Sequence, residues 1–244
     1  MIRLILAALI LTAAQGAVAE TLKAVPAQLN PAKAYILVEY KLLANPMAGF
    51  PGSRKTMPLT TGLTFARYDG ERRDIRGLGN ATASKLPAKQ NPTETYRNRE
   101  IVRGEVSRLH LIEVDPDLWV IQGFGNKSFS LGSYSFRLEP GTVTDLGVAA
   151  AEPDWAEGDR AAKAGDVMKI ALLGPFAKRP DIAPMRVTFR PRRADDLAVP
   201  ATLAKVIRPV EFAPAATFGN YLGGLVNCIE GVNATLKAKA AVAP

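Results

Sequence analysis

Three carboxylates stand at alternate positions near the middle of the chain, which has 244 residues. Glu113, Asp115 and Asp117 have a spacing at which a strand and the turn after it can present acidic side chains to one cation such as Ca²⁺. Calcium needs about six to eight oxygen ligands, and the chain lacks the glycine and the distal glutamate of an EF-hand loop at this point. The pattern therefore favours a turn between two strands, with Pro116 fixing its geometry, over a metal site.

The chain contains one histidine and one cysteine. Zinc sites, Cys–His nucleophiles and disulfide frameworks each require more of these residues, so those classes of chemistry are excluded. His110 alternates with Leu109 and Leu111 as in a strand, which favours a structural histidine over a general base, because a base needs an orienting partner. Cys228 lies in an apolar pattern, and we favour burial as a free thiol over an intermolecular disulfide. We therefore assign no catalytic, cofactor-binding or metal-binding residue.

The first residues have the order of a secretory signal peptide. A positive charge is followed by the apolar run Leu4–Ala14 and by Ala17–Ala19, a small-residue cleavage site before Glu20. A membrane-spanning helix needs about 20 apolar residues, more than this run or any later stretch provides. We predict a signal peptide over residues 1–19, cleavage between Ala19 and Glu20, and a periplasmic or secreted protein with no transmembrane segment after cleavage.

The formal net charge is +8, and much of the basic excess is arginine in short groups. The groups are Arg72, Arg73 and Arg76; Arg97, Arg99 and Arg103; Lys178 and Arg179; and Arg190, Arg192 and Arg193. For an exported protein, the groups favour association with anionic envelope components over nucleic-acid binding. A solvated basic face is the alternative, since a net charge of this size also keeps an ordinary domain soluble.

Hydrophobic residues mostly alternate between residues 30 and 150, which is the period of half-buried strands. Predicted strands cover Ala34–Tyr40, Gly62–Tyr68, Arg108–Val114 and Leu118–Gly123. Turn signals separate them and no helical pattern intervenes. We therefore predict a mainly β domain, an antiparallel β-sandwich, over residues 30–150.

Two hairpins are predicted within this sandwich. The first joins the strands on either side of Asp115–Asp117. The second consists of Ser128–Leu131 and Tyr134–Leu138, with a bend at Gly132. Pro140–Gly141 then predicts a type II turn before the next strand, because glycine supplies the positive φ that this turn requires.

The composition changes after the sandwich. Residues 151–216 begin with an acidic stretch around Trp155 and continue with frequent prolines, which predicts a solvated linker and an extended arm rather than a core. Within the arm, Met185–Phe189 has the pattern of an edge strand, where proline is tolerated nearby.

Residues 217–238 change to a helical period. Apolar residues recur at steps of three and four and fall on one face of a helix: Leu222, Leu225, Ile229, Val232 and Leu236. Gly223, Gly224 and Gly231 weaken such a helix by about 1 kcal/mol each relative to alanine, so it should form only when docked. We predict a short C-terminal amphipathic helix that packs on its own sandwich, with a partner groove or a membrane surface as alternatives.

Three segments resemble a known group of proteins. Leu118–Gly123, Phe129–Phe136 and Pro140–Val148 are similar to segments of poorly characterised exported bacterial proteins, which in turn resemble prealbumin-like and carboxypeptidase-regulatory-like β-sandwich domains. The similar motifs are turns and strands, and Asp115–Asp117 stands where those domains usually have Pro-Gly. The resemblance implies a β-sandwich fold and export, and it carries over no catalytic residue.

These observations predict an exported, non-enzymatic β-sandwich protein with a binding or scaffolding role in the cell envelope. The expected partner is an anionic envelope component or another envelope protein, and neither a cofactor nor a nucleic acid is expected. Two alternatives stay open. One is association with the envelope surface through the arginine groups and the C-terminal helix, and the other is a hydrolase with a site on a loop, which would need a pocket that gathers perturbed carboxylates.

Overall fold

The computed structural model describes residues 20–42, 45, 48–54, 56, 62–76, 94–95, 100–124, 127–153, 172–173, 185–221 and 225–230. The strands in this part of the chain are β1 (Glu20–Leu22), β2 (Ala34–Lys41), β3 (Leu63–Asp69), β4 (Asp74–Ile75), β5 (Glu94–Thr95), β6 (Val102–Arg103), β7 (Ser107–Val114), β8 (Leu118–Phe124), β9 (Lys127–Arg137), β10 (Val143–Pro153), β11 (Met185–Arg190), β12 (Ile207–Pro209), β13 (Ala213–Ala216) and β14 (Leu225–Cys228). A short 3-10 helix covers Ala201–Leu203.

The strands form two sheets. In sheet I the order is β1–β7–β2–β10–β11, with β6 also beside β7 and β12 also beside β10. In sheet II the order is β13–β9–β8–β3–β4, with β14 also beside β9 and β5 also beside β3. Most neighbours are antiparallel, but β10 runs parallel to β2 and β12, and β14 runs parallel to β9. The prediction of a mainly β sandwich is confirmed.

The main core lies between the two sheets. Its largest buried side chains include Trp119, Phe65 and Phe129. A second cluster covers the outer face of sheet I, where Tyr35 of β2 and Leu203 of the 3-10 helix are buried. Because both faces of sheet I are covered, β2 is buried along nearly its whole length, which explains its continuous apolar sequence.

The predicted turns lie where expected, but each connects different sheets. Asp115–Asp117 leads from β7 in sheet I to β8 in sheet II, so the predicted hairpin between these strands is wrong. Pro140–Gly141 leads from β9 in sheet II to β10 in sheet I, and Gly141 has φ +70°, as a type II turn requires. Turn residues specify a reversal of direction, whereas packing of the core decides which sheet receives the next strand.

The second predicted hairpin is also wrong, because β9 runs through Gly132 as one continuous strand. Its pairings with β8 and with β14 both shift register along this stretch. A Cβ atom on Gly132 would lie 3.3 Å from Sγ of Cys228. The small residue thus allows β14 to approach β9 closely instead of bending the chain.

The later part of the chain returns to both sheets. β11 and β12 lie beside β10, and β13 lies beside β9, so these segments of the predicted Pro-rich arm are strands of the sandwich. The predicted helix over residues 217–238 is wrong at Leu225–Cys228, which form β14. Glycine makes a helix here less stable, and a strand at this position is favoured because it pairs with the N–H and C=O groups along the edge of β9. Residues 231–238 lie outside the described residues.

β1 lies at the start of the described part of the chain. Glu20 is the first residue of β1 and is paired with Glu113 of β7, while the predicted signal peptide, residues 1–19, lies outside the described residues. Where the structure describes the chain, it shows no helix with the length and apolar character needed to span a membrane.

Candidate functional site

A cleft opens at the edge of sheet I where two strands separate. β12 runs beside the first part of β10 and β11 runs beside its last part, and between them lies the irregular step from Asp145 to Val148. The chain crosses to sheet II after β12. Ile229 bridges the two sheets, because its N–H donates to Gly132 of β9 and its carbonyl oxygen accepts from Val187 of β11. The space between this crossing and the bridge at Ile229, which we call the edge cleft, has a volume of about 780 Å³. Small-molecule sites typically measure about 300–1,000 Å³.

Aromatic side chains line one part of the edge cleft. The rings of Tyr134 and Phe212 are stacked with their centroids 4.9 Å apart, and Phe189 lies 5.2 Å from Phe212 at a steep angle. All three are partly buried and pack against the main core. The core fixes these rings, so the cleft offers a preformed apolar surface on which a flat group can stack.

Arg192 forms a polar wall of the cleft with Asp145, and it also pairs with Glu39, which does not line the cleft. Its Nε donates to Asp145 at 2.8 Å, one terminal nitrogen donates to Glu39 at 2.7 Å, and the other donates to the carbonyl oxygen of Gly147 at 3.3 Å. Glu39 is buried and also accepts the N–H of Leu197 at 3.1 Å. The guanidinium therefore joins β2 and β10 to the segment after β11.

Arg190 is engaged in the same wall. Both of its terminal nitrogens donate to the carboxylate of Asp196 at 2.6 Å, and Arg193 adds a backbone N–H at 2.7 Å. The hydrogen bonds from Arg190 hold the pKa of Asp196 well below its ordinary value, against the opposing effect of burial. The same contact raises the pKa of Arg190, so this pair stays ionised.

Gly147 makes this wall possible. Its φ is +77°, and a Cβ atom would collide with the carbonyl oxygen of Arg190. Its N–H donates to the carboxylate of Asp145 at 2.8 Å. Glycine is required here on two grounds, because the backbone is in the left-handed region and β11 passes directly over it.

Glu230 also lines the cleft and directly follows Ile229. Its carboxylate accepts the hydroxyl of Tyr134. Among the described residues, no lysine or arginine forms an ion pair with it. The aromatic surface thus ends in an exposed acidic group.

The three carboxylates singled out in the sequence are not brought together. Glu113 accepts the hydroxyl of Tyr35 at 2.9 Å, Asp115 pairs with Lys33 at 2.8 Å, and Asp117 pairs with Arg67 at 2.5 Å. In the described part of the chain, no group of three or more potential ligands could hold a metal ion.

The single histidine and the single cysteine lie in different parts of the sandwich. His110 is fully buried in β7, and its ring meets the ring of Tyr40 edge-on at 6.2 Å. Burial raises the pKa of the Tyr40 hydroxyl well above its ordinary value. Cys228 is partly buried at the end of β14, and burial raises the pKa of its thiol. Neither residue lines the edge cleft.

The described arginine groups are largely neutralised by the protein's own carboxylates. Arg76 pairs with Asp117 at 3.3 Å, and Arg103 pairs with Glu100. Desolvation raises the pKa of Glu100, but hydrogen bonds and the nearby arginines outweigh it and lower the pKa overall. Residues 97, 99, 178 and 179 of these groups lie outside the described residues, as does the acidic stretch around Trp155.

The edge cleft is the feature that sequence reasoning missed. Arg190 and Arg192 read as surface charges, although Asp195 and Asp196 follow so closely that an internal pairing was a detectable signal. Phe212 and Glu230 fall in no periodic pattern, and only the fold brings them to Tyr134. No family model, no curated protein and no solved structure matches the chain.

Proposed function

We propose that this protein is an exported, non-enzymatic β-sandwich protein that binds a small apolar ligand in the edge cleft. The single observation on which the proposal depends is the cleft itself, which combines a volume of about 780 Å³ with a fixed aromatic surface. Export is supported by the signal-peptide pattern of residues 1–19.

A neutral apolar probe tests the cleft. N-phenyl-1-naphthylamine gains fluorescence in apolar sites, and we expect it to bind at one site per chain. The variant Val210→Trp fills the cleft, since Val210 lines it, and should lose this site. Val106→Trp is the control, because Val106 is exposed and does not line the cleft. Equal probe binding by the two variants would rule out the edge cleft as the site.

The export proposal has a separate test. When the full chain is produced in a bacterial host, the mass of the exported protein should correspond to a chain that begins at Glu20. A product that retains residues 1–19, or one that stays in the cytoplasm, would contradict the proposal.

Association with an anionic surface through the arginine groups has weaker support. Arg72, Arg76 and Arg103 lie within ion-pair distance of Asp69, Asp117 and Glu100. A guanidinium that already has a carboxylate partner gains less from a phosphate group, and exposed pairs are screened by salt. Sedimentation with anionic vesicles at low and high salt measures this alternative directly.

A further inference from the structure

We propose that the ligand of the edge cleft is a small cationic amphiphile, with a flat apolar body on the aromatic surface and one ammonium group at Glu230. This inference rests on the proposed binding function and names the chemical class of the ligand. It follows from a difference among the charged groups of the cleft. Arg190, Arg192 and Asp145 are ion-paired, whereas Glu230 has no cationic partner among the described residues.

The charges of both arginines of the cleft are already neutralised by carboxylates of the protein. Arg192 uses Nε and both terminal nitrogens in bonds to Asp145, Glu39 and Gly147. Arg190 is held in a two-pronged pair with Asp196. An anionic ligand would compete with these partly buried carboxylates, and separating the pairs would leave the carboxylates uncompensated, which is costly.

The charged side chains that line the cleft are two arginines and two carboxylates: Arg190, Arg192, Asp145 and Glu230. The arginines are paired with Asp145 and with two carboxylates that do not line the cleft, those of Glu39 and Asp196. Glu230 is the member without a cationic partner among the described residues, so it is the group that a ligand cation can reach.

The carboxylate of Glu230 lies beside the aromatic surface. Tyr134 donates its hydroxyl to Glu230 while its ring stacks on Phe212. A ligand whose body lies on these rings therefore has a carboxylate beside it. Aromatic faces also attract cations, which adds to the preference for an ammonium group over a neutral or anionic one.

Three ligands with the same tail and different head groups test this preference: 4-phenylbutylammonium, 4-phenylbutanol and 4-phenylbutyrate. Affinities are measured by calorimetry at low ionic strength. The amine should bind about fivefold more tightly than the alcohol, which is the effect expected for a solvent-exposed ion pair with an aromatic neighbour. The carboxylate should bind more weakly than the alcohol, and added salt should reduce these differences.

Two carboxylate variants identify the group responsible. Glu230→Gln keeps an acceptor for Tyr134 but removes the charge, so the affinity of the amine should fall to that of the alcohol, whose own affinity stays unchanged. Glu211→Gln is the matched control. It removes the same negative charge, but Glu211 is exposed and does not line the cleft. It should leave the fivefold preference intact.

The outcomes separate this inference from the function on which it rests. If all three ligands bind with equal affinity, or if the carboxylate binds most tightly, the cation preference is wrong while binding in the cleft stands. If Glu211→Gln reduces the preference as much as Glu230→Gln, a general acidic field is acting and the role of Glu230 is overturned. If neither these ligands nor N-phenyl-1-naphthylamine binds, both proposals fail.

Discussion

Arg192 makes an internal ionic contact at a position where only 13% of its side chain is exposed. Its partner Glu39 has a side-chain exposure of 2% and lies in the middle strands of sheet I. A buried carboxylate is tolerated because the guanidinium and a backbone N–H compensate its charge. The pair therefore connects the wall of the edge cleft to the stability of the sheet.

Replacing Arg192 should cost much stability. Arg192→Met keeps the apolar part of the side chain but leaves Glu39 without a cation, so we expect the free energy of unfolding to fall by about 3–5 kcal/mol. Arg193→Met is the control, since Arg193 is exposed, and its effect should stay within about 0.5 kcal/mol. Urea unfolding of both variants measures the difference, and similar losses would contradict a specific role for Arg192.

Asp196 should make stability depend on pH. Its pKa is lowered in the folded state by Arg190, so the ionised carboxylate stabilises the fold. This contribution is complete above the unfolded pKa of about 3.9 and is lost as the pH falls toward the lower, folded pKa. Asp196→Asn should therefore cost about 1–3 kcal/mol at pH 7 and clearly less at about pH 3.

The same urea titrations provide the comparison for Asp196. Asp195→Asn removes an adjacent, exposed carboxylate and should change the unfolding free energy little at either pH. A pH-independent cost for Asp196→Asn would mean that the carboxylate contributes through packing and not through its charge.

At the scale of elements, Gly147 determines how closely β11 can approach β10. Gly147→Ala combines the strain of positive φ with a collision against Arg190, whereas Gly52→Ala has a similar φ of +78° and nothing within 4 Å. The strain alone costs about 1–2 kcal/mol. Gly147→Ala should exceed Gly52→Ala in urea unfolding by at least about 1 kcal/mol, the typical cost of overpacking. Equal losses would show that the backbone relieves the collision.

The strands with strong local patterns were predictable, and their partners were not. Ala34–Tyr40 and Leu118–Gly123 were found because burial on a sheet leaves an apolar or alternating sequence. Asp115–Asp117 is recognisable as a turn from its sequence. The residues of a turn, however, do not determine whether the strands before and after it, here β7 and β8, pair with each other. The crossing to the facing sheet depends on core contacts far apart in sequence.

The C-terminal segment shows how the fold can override a periodic pattern. Leu225 and Ile229 are four residues apart, which fits a helix, yet Leu225 begins β14 and Ile229 is buried between the sheets. The helical pattern was short and contained glycine, so its intrinsic advantage was small. The strand is stabilised by backbone hydrogen bonds to the edge of β9, and these partners are distant in sequence. For the same reason, the candidate site at Tyr134, Phe212 and Glu230 left no local signal.

At the scale of the whole molecule, the chain after residue 184 completes both sheets. Val187, Phe218 and Ile229 belong to the main core, and Ile229 bonds to both sheets. β10 and β9 each gain edge partners from this region. The edge cleft lies between the crossing from β12 to β13 and the hydrogen-bonded bridge that Ile229 makes between the sheets.

This arrangement predicts that residues 20–153 do not form an independent sandwich. Without the later segments, the edges of β9 and β10 lose their partners and one side of the core opens to water. We expect the fragment 20–153 to show no cooperative thermal transition and to bind N-phenyl-1-naphthylamine at many weak sites, whereas the chain 20–244 unfolds cooperatively and binds it at one. Circular dichroism and probe titration on both proteins make the comparison. If the fragment instead unfolds cooperatively, with a midpoint within a few degrees of that of the longer chain, the region 30–150 folds as a domain by itself. The later strands would then add to its edges without being required for folding.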